Sequence, residues 1–160
     1  MEQTVERHTQ RLRVVCGVML ASLALYGVIV LALPLPLRPA LPQSETLLWG
    51  FAFLAAVNLA TVMPVYRVMM AAPRRVYSVG RQPERVLAAH LTAHVVAFAR
   101  IEAVAILGFV LFLLSGRRDW FVIFTAAAAV AMLVLWPRRA KVAALLAVPG
   151  GGESAASAPQ

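Results

Sequence analysis

The chain has 160 residues, of which 61% are hydrophobic and 14% charged, and its formal net charge is +8. Ordinary soluble domains carry roughly 25% charged residues, so this chain has too little polar surface to cover a soluble globule, and lipid is the natural solvent for the excess. Its basic residues fall in short segments between long apolar runs, with no basic face interleaved with aromatics, which argues against nucleic acid as a partner and for charge that orients a membrane protein.

A basic flank (Arg7, Arg11, Arg13) precedes the first apolar run, Val14 to Leu33, which carries no charge and is long enough to cross a hydrocarbon core of about 30 Å. The lone cysteine, Cys16, lies at the start of this run; one thiol makes neither an internal disulfide nor a metal site, so it reads as a small packing residue. Pro34, Pro36, Pro39 and Pro42 end the run and imply a stiff, extended connection.

The second run spans about 47–70 and contains Asn58, Thr61 and Pro64. Polar side chains at that depth are expected to hydrogen-bond between helices. A third run covers about 85–115, and a fourth runs from Trp120 to Trp136, closed by Pro137. From residue 147 the composition, rich in Gly, Ser, Ala and Pro, is that of a flexible tail. The expectation is an all-α, polytopic membrane protein. Residues 1–146 form a four-helix transmembrane domain (helices at about 14–33, 47–70, 85–115 and 120–136), arranged as two helical hairpins.

Orientation follows from the basic residues. Eleven fall on one side: Arg7, Arg11 and Arg13; Arg67, Arg74, Arg75, Arg81 and Arg85; Arg138, Arg139 and Lys141. The other side holds Arg38, Arg117 and Arg118. The positive-inside rule then places both termini and the middle loop in the cytoplasm, as expected for a multi-pass protein of a bacterial inner (cell) membrane. Trp49 and Trp120 would mark the outer interface and Trp136 the inner one. A weak internal repeat sets the segment from Leu20 against that from Ile101, with Gly27 over Gly108.

The third run carries the chemistry. At 1.5 Å per residue it spans about 46 Å, too long for hydrocarbon alone. Its first half holds His90, His94 and Arg100, and Glu102 follows. Glu102 should lie roughly 21 Å below the outer end of the helix, where a lone charged carboxylate costs a few kcal/mol. It must be protonated, paired or facing a polar cavity, and a helix bearing Asn58 or Thr61 is a candidate to approach it. Arg100 points about 200° away from Glu102 and is expected to snorkel toward the cytoplasmic headgroups. His90 and His94 share a face and read as interfacial residues satisfied by water or headgroups. Glu102 lies about 12 Å along the axis from His94, too far for one ion, so no metal site is expected.

Residues 80–114 resemble the second half of the proteolipid (subunit c) hairpin of rotary F/V-type ATP synthases. The likeness rests on Arg81, Gln82 and Pro83 in a cytoplasmic loop and on Glu102, Ala103, Ala105, Ile106 and Gly108 in the helix that follows. The resemblance implies an ion-binding role for Glu102. A fourth apolar run follows the carboxylate helix here, whereas the family's hairpin ends with it.

No catalytic constellation is present: there is no Ser/His/Asp set, no neighbouring carboxylate pair and no glycine-rich phosphate loop. Neither enzymatic activity nor a cofactor is expected. The leading reading is an accessory or assembly subunit of a larger membrane complex, with the bilayer and other membrane subunits, or further copies of the chain, as partners. A proteolipid-like proton or ion carrier using Glu102 is the first alternative. A small transporter or channel with a polar path past Asn58, Thr61 and Glu102 is the second.

Overall fold

In the computed structural model, residues 2–33, 44–80 and 83–146 are described. They form five helices: α1 (Glu2–Ala32), α2 (Ser44–Gly80), α3 (Pro83–Ser115), α4 (Arg118–Val134) and α5 (Arg139–Leu146). Three are long and apolar enough to cross a membrane, over Gln3–Ala32, Glu45–Ala71 and Glu84–Ser115. The 17 residues of α4 stand at the short end of what spans a hydrocarbon core.

Two features extend beyond the apolar runs. Helix α1 begins at Glu2 instead of Val14, because Thr9, Leu12 and Cys16 recur at helical spacing and are all buried. Helix α5 follows the same rule: Val142 and Leu146, four residues apart, are buried against Leu12 and Leu87. Neither segment is apolar throughout, so a search for continuous apolar runs passes over both. Pro137, which closes the fourth run, is itself buried.

Helix α3 is the axis of the bundle. In its most apolar stretch 44% of residues are buried, against 17% for α1 and 11% for α2. It packs against α2, α4 and α1, while α1 also touches α4 and α5. The expected pair of hairpins is therefore not the packing observed, since α1 lies against α3 and α4 and makes no comparable contact with α2. Connection length explains this. Only residues 81–82 separate α2 from α3, and residues 116–117 separate α3 from α4. Such short links hold antiparallel neighbours together. Residues 33–43, between α1 and α2, impose no such closeness.

Helices α3 and α4 approach closely because Gly108 has no side chain: a Cβ there would lie 2.5 Å from the Cβ of Phe124. Helix α3 ends at Gly116, whose φ of 71° suits glycine and whose N–H donates to the Phe112 carbonyl at 2.7 Å.

The bundle has two distinct ends. At one, Arg139 pairs with Glu6 at 2.8 Å, and Met70 of α2 packs with Val86 of α3. At the other, Arg118 donates to the Leu33 carbonyl at 3.3 Å. Helices α1 and α3 run parallel and in step, so that His8 meets His90, Ser22 meets Glu102 and Tyr26 meets Phe109.

Candidate functional site

Two charged residues of α3, Arg100 and Glu102, are part-buried against neighbouring helices, and the helical twist sends them to different neighbours. Arg100 turns to α2. Its Nε donates to Asn58 Oδ1 at 2.9 Å and its NH2 group to Thr61 Oγ1 at 2.6 Å, while Asn58 Nδ2 donates to the Arg100 carbonyl at 2.7 Å. Asn58 thus holds both side chain and backbone of Arg100. Thr61 can accept because its own hydroxyl proton is directed at the Val57 carbonyl, 2.6 Å away.

Glu102 turns to α1. Ser22 Oγ lies 2.5 Å from its Oε1, and the Tyr26 hydroxyl lies 3.4 Å from the same oxygen. Ser22 Oγ is also 2.7 Å from the Met19 carbonyl. A serine hydroxyl has one proton but here faces two oxygens that could accept it. Among the described residues neither Arg100 nor Glu102 has an oppositely charged partner within ion-pair distance.

Asn58 and Thr61 do bridge helices, as their depth in the second run suggests, but they serve Arg100 and not Glu102. The expectation that they approach Glu102 fails on geometry, because the residue facing α2 is two positions earlier on α3. Ser22 and Tyr26 escape sequence reading since both sit within an otherwise apolar run. Their one available signal is spacing: they are four residues apart and so share a face.

The histidines differ from their sequence reading more sharply. His8, His90 and His94 are all buried, alongside Thr9. His8 Nε2 lies 3.2 Å from His90 Nδ1, and His94 Nδ1 donates to the His90 carbonyl at 3.0 Å. The ring of Tyr66 stands edge-on to His94 with centroids 5.1 Å apart. They are packed between α1, α2 and α3, not washed by headgroups, because α1 extends far enough to cover them. Among the described residues no group of three or more His, Cys, Asp or Glu side chains is placed to hold a metal ion.

Of the loop motif, Arg81 and Gln82 lie outside the described residues, and Pro83 opens α3, a position where proline's missing N–H costs no helical bond. At the opposite end, the Arg117 guanidinium 2.6 Å from Asp119 holds that carboxyl below the usual carboxylate range.

No protein-family model, curated protein or solved structure matches this chain.

Proposed function

We propose that this chain crosses a bacterial inner membrane four times, with both ends in the cytoplasm, and serves as a non-catalytic accessory or assembly subunit of a larger membrane complex. The observation that carries this reading is the use made of the two intramembrane charges. Arg100 and Glu102 tie α3 to α2 and to α1 through neutral side chains, so both serve to hold helices in register. The apolar side chains of Trp49, Phe53 and Val68 on α2 and of Val18 and Leu31 on α1 are exposed, leaving broad faces for lipid or for helices of other subunits. Four crossings are supported by α4, which runs back from the end where Arg118 meets Leu33 to the end where Arg139 meets Glu6.

Purification of the tagged chain from native membranes in mild detergent tests the role. Stoichiometric co-isolation of other membrane subunits is expected; a lone monomer overturns it. Topology is tested with Gln43→Cys on a Cys16→Ala background, where labelling from the cytoplasm alone sinks the four-crossing arrangement.

One observation favours a second reading, a proteolipid-like proton carrier. If Ser22 donates to the Met19 carbonyl, a protonated Glu102 completes the network by donating to Ser22 Oγ. A carboxyl that can hold a proton between helices has the chemistry of a proton-binding site. Proton flux into liposomes that disappears in Glu102→Gln, with the bundle intact, would select this reading over the first.

A further inference from the structure

We infer that Arg100 is the anchor of a binding site for the phosphate of an anionic phospholipid in the cytoplasmic leaflet, on the flank shared by α2 and α3. The inference rests on the chain crossing the bilayer and not on its role as a subunit.

The first observation is a hydrogen-bond account. A guanidinium has five N–H donors and is charged at every physiological pH. Asn58 and Thr61 take one each, and these are the only acceptors that the described residues supply. The remaining donors are not sealed inside the protein, because the single fully buried side-chain N or O atom without a partner among the described residues is the hydroxyl oxygen of Thr125. A cation with open donors at membrane depth must find an acceptor outside the chain.

Direction says which one. The Nε of Arg100 is at Asn58 and its NH2 group is at Thr61, three residues further along α2 toward the end where α5 meets α1. The side chain is thus drawn toward the cytoplasmic leaflet and pinned there. Thr61 stands about 9 Å along the axis from Arg67, whose exposed side chain marks the approach to the headgroups. An arginine at such a depth draws a headgroup inward by local thinning of the bilayer. The flank below it is open. Thr92, two turns before Arg100 on α3, is exposed, as are Pro64 and Val68 beyond Thr61 on α2.

The chemistry also selects the ligand. A planar fork held in fixed orientation binds a phosphate through paired charge-assisted hydrogen bonds. Two neutral partners leave its whole charge uncompensated, so a headgroup without its own ammonium, such as phosphatidylglycerol, fits better than phosphatidylcholine.

Native mass spectrometry of the full chain, released from micelles doped with phosphatidylglycerol or phosphatidylcholine, tests this. Wild type is expected to retain one phosphatidylglycerol in preference to phosphatidylcholine. Arg100→Gln should weaken that retention about tenfold, the equivalent of about 1.4 kcal/mol. Arg117→Gln, at the opposite end, should leave it unchanged. Should Arg100→Gln fail to fold, Arg100→Lys and Thr61→Val give the same reading, since the first keeps charge without the fork and the second releases the fork from its anchor; each should lower retention several-fold. Unchanged retention in a folded Arg100 variant overturns the proposal. Displacement by free glycerol phosphate does so as well, because it would make this an aqueous phosphate site.

Discussion

Arg100 and Glu102 stand two residues apart on α3 and are held by different helices, the guanidinium by Asn58 and Thr61 of α2 and the carboxyl by Ser22 and Tyr26 of α1. Two independent ties follow, and double-mutant cycles measure them. Asn58→Ala and Arg100→Gln should show a coupling energy of about 0.5–3 kcal/mol. Asn58→Ala and Glu102→Gln should add to within about 0.5 kcal/mol. Unfolding in detergent gives both values. Strong coupling of Asn58 to Glu102 would mean that the two sides of α3 share one network.

The tie to α1 is the gentler of the two. Glu102→Gln keeps an oxygen and gains N–H donors, so the Ser22 contact survives and the stability change should stay below about 1 kcal/mol. Ser22→Ala, which leaves the carboxyl facing a methyl group, should cost about 1–2 kcal/mol. A larger loss from Glu102→Gln than from Ser22→Ala would show that the carboxyl is charged and has a partner beyond the hydroxyls.

Gly27 and Gly108 occupy matching places in the internal repeat but have different surroundings. A Cβ on Gly108 would meet Phe124 Cβ at 2.5 Å, whereas one on Gly27 meets nothing within 4 Å. Gly108→Ala must therefore part α3 from α4 and should destabilise by about 1–3 kcal/mol. Gly27→Ala should be neutral or stabilise by up to about 1 kcal/mol, since alanine favours the helix. Equal effects would remove the case for close packing at Gly108.

Much of the fold was legible because lipid makes the rule simple: a long apolar run is a helix. Runs at 47–70 and 85–115 fall within α2 and α3. The rule fails at the start of α1, whose buried residues are spaced along otherwise polar sequence, and in α5, whose eight residues are too short a stretch to stand out as a run. The charged residues of the site were equally legible, since Arg100 and Glu102 stand out in an apolar helix. Their partners were not. Which neighbour faces which residue depends on helix order around α3, and the sequence pattern suggested hairpins where the structure places α1 against α3 and α4. His8 was passed over for a related reason: it becomes a buried residue only once α1 is seen to extend past the apolar run and cover His90.

The C-terminal boundary can be tested by truncation. Removing residues 147–160, whose composition lacks apolar periodicity, should leave thermal stability unchanged. Removing everything from Arg139 onward strips Val142 and Leu146 from Leu12 and Leu87 and breaks the Arg139–Glu6 pair. Burial of two such side chains is worth about 1.5–3 kcal/mol each, whereas an exposed pair adds little. The second truncation should therefore lower stability by about 3–6 kcal/mol, and equal behaviour of the two would show that α5 is not docked.

Acid should loosen the first turns of α1. The contact of His8 Nε2 with His90 Nδ1 at 3.2 Å requires one nitrogen to donate and the other to accept, so at least one ring must be neutral. When both rings are protonated, two N–H groups and two positive charges face each other. His94, Arg11 and Lys141 add further positive charge nearby, and the aromatic face from α2 is that of Tyr66. Histidines in an unfolded chain take up protons near pH 6.5. Double protonation thus breaks the contact, and the start of α1 should come away from α3 as pH drops through that region. Between pH 7.5 and 5.5, amide exchange over residues 3–12, corrected for its intrinsic pH dependence, should speed up as about 1 kcal/mol of protection is lost. In His8→Ala the segment should exchange faster at pH 7.5 and lose much of its pH dependence, because the contact that protonation breaks is already gone, although the His94 ring still stands 4.2 Å from that of His90, centroid to centroid. Protection of wild type that is the same at both pH values would rule out the His8–His90 contact as what holds the start of α1 against α3.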